Sequence, residues 1–515
     1  MKSKPLLSTE LKFRLIKYIT SPLIVVIFFG IAIRSVEIIN RNYLFGFDQG
    51  WNYEFAREIV ETKHFRLIGA EASFGGFRGV FHGPGYYYLL AFFYILFYGD
   101  PYGGLIYMYT FGILSLVLSA YLAKKIFLNT FTLLYIFLIG ICGALISQSR
   151  FLWPPHPVTA IFVFIQILIY KFIKHKQSKY ILLALFFSAM IYHFHLALSI
   201  PLVISIMIFY WLNSRTQILK FLGKSFMVVS LAWLPGLLFE IRHRLFITNL
   251  WSYEMSSGLS RITTFRYWIE HGRDYWYNFA ESFRFQPFIH GIFWQLLFTT
   301  LYVTAVIISY KQIKEPVRSF VKYHICLILI TFMFFIFINN TIWNYYLTNL
   351  HIAYIFILCV IVSALWQKVS KTQVEKVIIS GLLVYILVFS ISGIAEMHRM
   401  YTSEIADIGG GAKIKGKKEL LDFIYEDAGG KSFNIKIFTP PIYTYAFDYM
   451  FHWYGRSKYG YEPGNDEKNL TYIIIEPDSA KPWSHLGWLE TVIKPGEVEW
   501  EKSLKNGFIV QKRMY

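Results

Sequence analysis

"HGPGYYYLLAFFYILFYG" (residues 82–99) decides how this chain is threaded. It is apolar enough to count as a bilayer span, yet counting it would put Lys124 and Lys125 outside and reverse every later loop. Laid on the membrane surface, where Tyr-rich amphipathic segments favour the headgroup zone, it leaves the basic loops in step. Lys2, Lys4, Lys12, Arg14 and Lys17, then Lys124 and Lys125, "KFIKHKQSK" (171–179), "RTQILKFLGK" (215–224), "YKQIKEPVRSFVK" (310–322) and "QKVSKTQVEK" (367–376) all fall in alternate loops. The positive-inside bias makes those loops cytoplasmic.

Of the 515 residues, 55% are hydrophobic, 20% aromatic and only 16% charged, well outside the composition of soluble domains. The chain reads as a polytopic α-helical membrane protein. Windows of about 20 apolar residues suffice for a span, and about eleven occur between residues 19 and 395, beginning with "SPLIVVIFFGIAIRSVEII" (21–39). The first lacks a small-residue cleavage pattern and is expected to stay as an anchor, with the N-terminus inside. The formal charge of +18 is spread over the cytoplasmic loops, which points to membrane lipid and away from nucleic acid. Loops 38–102, 148–157, around 193–197, 241–289 and 339–343 then face outward. Cys142, Cys326 and Cys359 lie in apolar runs and form no disulfide or metal pattern.

Residues 1–396 are expected to form the membrane domain and 397–515 a small extracytoplasmic α/β domain. In the latter, "KELLDFIYED" and "YTYAFDYMFHWYG" read as helices, and "FNIKIFTP", "TYIIIEP" and "GFIVQKRMY" as strands.

Polar groups gather in the outer loops. In "FGFDQGWNYEFAREIV" (45–60), Asp48 precedes Trp51, Phe55 and Ile59, spaced along one helical face. Two readings stay open for it: a helix cap, or a carboxylate held for chemistry. The Gly-rich bend "GGFRGVFHGPG" (75–85) carries Arg78 and His82, and "SQSRFLWPPHPV" (147–158) carries Arg150 and His156. Such groups can stabilise charge developing on a phosphate, although Arg150 also reads as a helix end whose charge snorkels to water. His193 and His195 read as packed side chains. "LPGLLFEIRHRLFITN" (234–249) brings Glu240 and Arg242 together as an ion-paired helix end or part of a ligand site. No Walker loop, dinucleotide fingerprint or nucleophile elbow stands in its required context, which disfavours ATP-driven work and a nucleotide-sugar donor bound in a Rossmann domain.

The order of these features resembles the membrane glycosyltransferases of the GT-C fold, in particular the bacterial relatives of protein O-mannosyltransferases and lipid A aminoarabinose transferases. The features are an Asp at the start of a juxtamembrane helix, the "GPGYYYLLAFFY" helix, and the short loop "SQSRFLWPPHPV". The resemblance implies an inverting transfer of a sugar from a polyprenyl-phosphate donor to an extracytoplasmic glycan, lipid or protein acceptor. It makes Asp48 the catalytic base, with Arg78, His82, Arg150, His156, Glu240 and Arg242 as candidates for the donor's phosphate or sugar. The O-mannosyl relatives carry an acidic pair where this chain has Asp48 followed by Gln49. No cofactor is implied with certainty, and a divalent cation is left open. A transporter or flippase of lipid-linked glycans is the rival, but it would place its charges near the bilayer midplane in broken helices.

Overall fold

The computed structural model describes residues 21–71, 81–213, 218–244, 248, 265–283, 292–337, 342–367, 373–407, 412–440, 442–464, 470–478, 480–493 and 497–514. The helices of the first part are α1 (Pro22–Ile33), α2 (Val36–Asn40), α3 (Phe47–Glu61), α4 (Gly85–Leu96), α5 (Tyr102–Ile126), α6 (Asn129–Ile141), α7 (Gly143–Ser147), α8 (Val158–His175) and α9 (Ser178–Met190). There follow α10 (Leu196–Asn213), α11 (Ile218–Ala232), α12 (Leu234–Arg242), α13 (Phe265–Glu281), α14 (Ile292–Tyr310), α15 (Val317–Phe337), α16 (Leu350–Trp366) and α17 (Gln373–Ala406). Among the described residues, α5, α8, α10, α14, α15 and α17 are long and apolar enough to cross a bilayer, and α11 with α12, bent by 75°, makes a seventh. The remaining apolar helices, among them α1, α6, α9 and α16, are shorter. The chain is an integral membrane protein.

The segment that decides the threading forms a helix of 12 residues, α4, about 18 Å long and too short to span the roughly 30 Å of hydrocarbon. Its Leu89, Phe92, Ile95 and Leu96 form an exposed apolar face at helical spacing, while Tyr86, Tyr87, Leu90 and Tyr94 are buried. Tyr98 and Gly99, both at positive φ, turn the chain sharply into α5. The Asp100 carboxylate accepts the Tyr102 N–H at 2.8 Å there.

The C-terminal part contains α18 (Ile414–Ala428), β1 (Asn434–Phe438), α19 (Tyr445–Met450), α20 (Arg456–Tyr459), β2 (Thr471–Ile475), α21 (Ser484–Thr491), β3 (Glu497–Ser503) and β4 (Ile509–Met514). Its sheet has the order β1-β2-β4-β3, with β1 and β2 parallel and the other pairs antiparallel. The central strand β2, "TYIII", is buried throughout, whereas β3 is an exposed edge with a bulge between Val498 and Trp500. Neither β3 nor α21 was expected from the sequence, because an edge strand reading "EVEWEKS" buries almost nothing. Helix α17 runs on to Ala406, ten residues past the change of texture at 396.

This domain is seated on α3. Phe45 N–H donates to the Ala412 carbonyl at 2.9 Å, Ile414 N–H to the Tyr43 carbonyl at 3.0 Å, and the Tyr449 hydroxyl to the Gly99 carbonyl. Gly50 makes the contact with α19 feasible: a Cβ there would lie 2.4 Å from the Ala446 nitrogen. The segment between α1 and α5 and the C-terminal domain therefore share one side of the helical bundle.

Candidate active site

Asp48 lies in the first turn of α3, but it is not the cap. Gly46 occupies the N-cap position, and its N–H is taken by the Gln49 side-chain oxygen at 3.0 Å. The Gln49 amide in turn donates to the Leu152 carbonyl at 2.9 Å. Gln49 is buried, and it ties the start of α3 to the loop before α8. The residue that replaces the second acid of the O-mannosyl pattern is thus a structural strut. The Asp48 carboxylate accepts no hydrogen bond and joins no ion pair among the described residues. It reaches solvent, yet the protein crowded around it displaces enough water to hold its carboxyl above the usual range for aspartate.

Its neighbours come from separate loops. Asp48 is near enough to Tyr86, Tyr87 and Tyr345 for its charge to act on their hydroxyls. Tyr345, in a 3₁₀ turn spanning Asn344–Leu347, meets Trp153 at 4.7 Å and His195 at 5.6 Å between ring centroids. Trp153 packs edge-on to His156 at 5.5 Å, and His195 lies 4.8 Å from His82. Tyr345 thus touches Trp153 and His195, with His156 and His82 one ring further out on either side.

The histidines are neutral by environment: burial pushes both His82 and His156 down to about 4. His82 accepts the Leu196 N–H at Nδ1, 3.2 Å away, so its proton sits on Nε2, where it can be donated. His156 instead faces the Phe151 carbonyl with Nδ1 at 3.0 Å, which places its proton there and leaves Nε2 as an acceptor. The Gly-rich bend approaches His193 and not open space. Gly85 N–H points at His193 Nδ1 (3.3 Å), and a Cβ on Gly83 would fall 2.2 Å from that atom. With Nε2 3.0 Å from the Ala232 carbonyl, His193 is a packed tie between α4, the end of α9 and the break between α11 and α12.

Other candidates lie apart. Arg150 is paired with Glu37, and with Glu404 of α17 at 2.8 Å; Glu37 is almost fully buried. Arg150 also edges a cavity of about 820 Å³ lined by Trp276, Tyr277, Glu281 and Glu396. Glu240 accepts from the Thr248 N–H and hydroxyl at 3.1 and 2.7 Å. It borders an apolar groove of about 350 Å³ formed with Phe81, Tyr192, Leu196 and Trp233. Arg242 is exposed at the end of α12. Arg78 lies outside the described residues. Among the described residues no group of three or more His, Cys, Asp or Glu side chains is placed to hold a metal ion. Sequence reasoning noted Gln49 only as a departure from an acidic pair, without its strut role, and missed Gly50 and Tyr345; the signal for the last was an aromatic cluster, "WNYY".

No protein-family model matches the sequence, and no curated protein does either. Solved structures do match. ArnT from Cupriavidus metallidurans bound to undecaprenyl phosphate aligns with a TM-score of 0.56 at 10% identity, over 96% of this chain and 98% of its own. The same protein in the apo state gives 0.54 at 11%, over 97% and 98%. The archaeal oligosaccharyltransferase AglB from Archaeoglobus fulgidus, in complex with an inhibitory peptide and a dolichol-phosphate, gives 0.46 at 12%, over 87% and 64%. The fold is that of ArnT, the GT-C fold.

Proposed function

We propose that this chain is an inverting glycosyltransferase. It takes a sugar from a polyprenyl-phosphate carrier at the outer face of the cytoplasmic membrane and joins it to an extracytoplasmic acceptor, with Asp48 as the base. One observation carries the reading: a solvent-reaching carboxylate in the first turn of α3, with no ion pair or hydrogen bond among the described residues, in a chain with the ArnT fold. ArnT has been solved with undecaprenyl phosphate bound, which supports a donor of that class here.

The acceptor oxygen attacks the anomeric carbon from the face opposite the phosphate. As that C–O bond forms, the bond to the phosphate oxygen breaks, and the polyprenyl phosphate leaves with the electron pair. The acceptor's proton passes to the Asp48 carboxylate. A raised carboxyl pKa suits this role, since a stronger base takes the proton more readily while still being ionised at neutral pH. His82 Nε2–H offers the leaving phosphate a neutral hydrogen bond, and the apolar groove beside Glu240 fits an isoprenoid chain. Arg150, already neutralised by two carboxylates, serves to clamp α2, the second loop and α17.

The test uses the purified chain with a polyprenyl-phosphate sugar. Asp48→Asn removes the base, so transfer should fall by about 10²- to 10⁴-fold while the fold persists. Transfer at the wild-type rate in that variant would move the search to Glu54, Glu58 or Glu240. A transporter would place its charges near the bilayer midplane in broken helices, and the reading of the candidate residues as lying in outward loops favours the enzyme over it.

A further inference from the structure

A second cavity, about 900 Å³, opens between α3 and the C-terminal domain, at the upper end of the usual range of roughly 300–1,000 Å³ for small-ligand sites. Trp51, Glu54 and Phe55 supply one wall and Tyr445, Asp448 and His452 the other. An aromatic strip leads into it from the turn that holds Asp48. Phe47 meets Tyr443 at 5.1 Å, Tyr443 lies nearly parallel to Tyr445 (9°, 5.8 Å), and Tyr445 meets Trp51 edge-on at 4.5 Å.

Two polar atoms in this wall are buried and unpartnered. Glu54 pairs with Arg57 through one carboxylate oxygen, at 2.6 Å, and leaves the other without a hydrogen bond. Arg66 Nε is in the same condition, on a guanidinium stacked 4.0 Å over the Phe55 ring. Groups of this kind call for a ligand rich in hydroxyls, and the rings suit the apolar C–H faces of a sugar. The lining also carries five carboxylates against two guanidiniums. Burial raises the Glu54 and Asp448 carboxyls above their ordinary range, as expected where negative charge is crowded out of water.

We propose that this cleft is the acceptor site and that the acceptor is a carbohydrate, neutral or amine-bearing and not polyanionic. The assignment rests on the glycosyltransferase reading above, and it narrows the acceptor from glycan, lipid or protein to glycan.

The full-length chain in lipid nanodiscs would be presented to an array of neutral, amino-sugar and sulfated or carboxylated oligosaccharides, with hits measured by calorimetry. Neutral or amino-sugar oligosaccharides should be retained. Tyr445→Ala and Glu54→Gln should each weaken the hit by roughly tenfold or more, the scale of one lost ring contact or charge-assisted hydrogen bond. Tyr445→Phe keeps the ring and should bind within about threefold of wild type, a change under 1 kcal/mol, which guards against a folding artefact. Asp48→Asn should bind the oligosaccharide as wild type does while losing transfer. Preference for a polyanion or a peptide, failure to retain any oligosaccharide, or wild-type affinity in both Tyr445→Ala and Glu54→Gln would overturn the assignment. Sugar transfer measured in parallel separates the two claims: turnover with an indifferent cleft defeats this inference alone, and Tyr445-dependent binding without turnover upholds it while defeating the enzyme.

Discussion

At the level of single residues the account turns on Asp48 and Gln49. Asp48 must be ionised to act, and its carboxyl sits above the usual aspartate range through loss of water. The rate of transfer should therefore fall on acidification at a higher pH than an ordinary aspartate would dictate, and Asp48→Asn should abolish that acid limb. Stability runs the other way: a carboxyl whose folded pKa is raised favours folding when protonated, and that contribution is lost as pH rises through the folded pKa. At neutral pH, thermal unfolding of Asp48→Asn should then occur at or above the wild-type temperature. Gln49→Glu would restore an acidic pair but turn a donor on the Leu152 carbonyl into an anion. Loss of about 1–3 kcal/mol in chemical unfolding is expected, with no gain of metal dependence. The sequence marked Asp48 because it stands at the start of an amphipathic helix just beyond an apolar run, where it reads as a cap or a base. It could not show that Gly46 takes the cap, since that depends on Gln49 reaching back to its N–H.

Among the elements, the tie of α2 to the second loop and α17 depends on Arg150. Removing that guanidinium strands the buried Glu37 carboxylate, and breaking a buried pair typically costs about 3–5 kcal/mol. Arg150→Ala should lower stability on that scale, and adding Glu37→Gln should restore much of it. A site for donor phosphate would give no such rescue. Gly50→Ala should loosen the C-terminal domain from α3, read as faster proteolysis around residues 407–413, because the new methyl meets the Ala446 backbone. Neither element contact was visible beforehand. Arg150 reads as a snorkelling helix end until Glu404, far away in sequence, is brought beside it, and a helical glycine gives no sign of what it will face.

For the whole molecule, the membrane class, a helix within 82–99 and most of the C-terminal sheet were legible because burial and period leave marks in composition. The exposed edge strand, the bend of α11 against α12 and the contacts of Tyr345 with Trp153 and His195 were not, since they follow from packing between distant segments. A topology reporter placed after residue 396 should register outside and one within 171–179 inside. The measurement that bears most directly on the account is mass analysis of lipid-linked sugars and envelope glycans in cells lacking the chain and complemented with wild type or Asp48→Asn. The account predicts that the deleted and Asp48→Asn cells both accumulate a polyprenyl-phosphate sugar and lack one glycan residue that wild type restores. Unchanged lipid-linked sugars and glycans on deletion, or full restoration by Asp48→Asn, would contradict it.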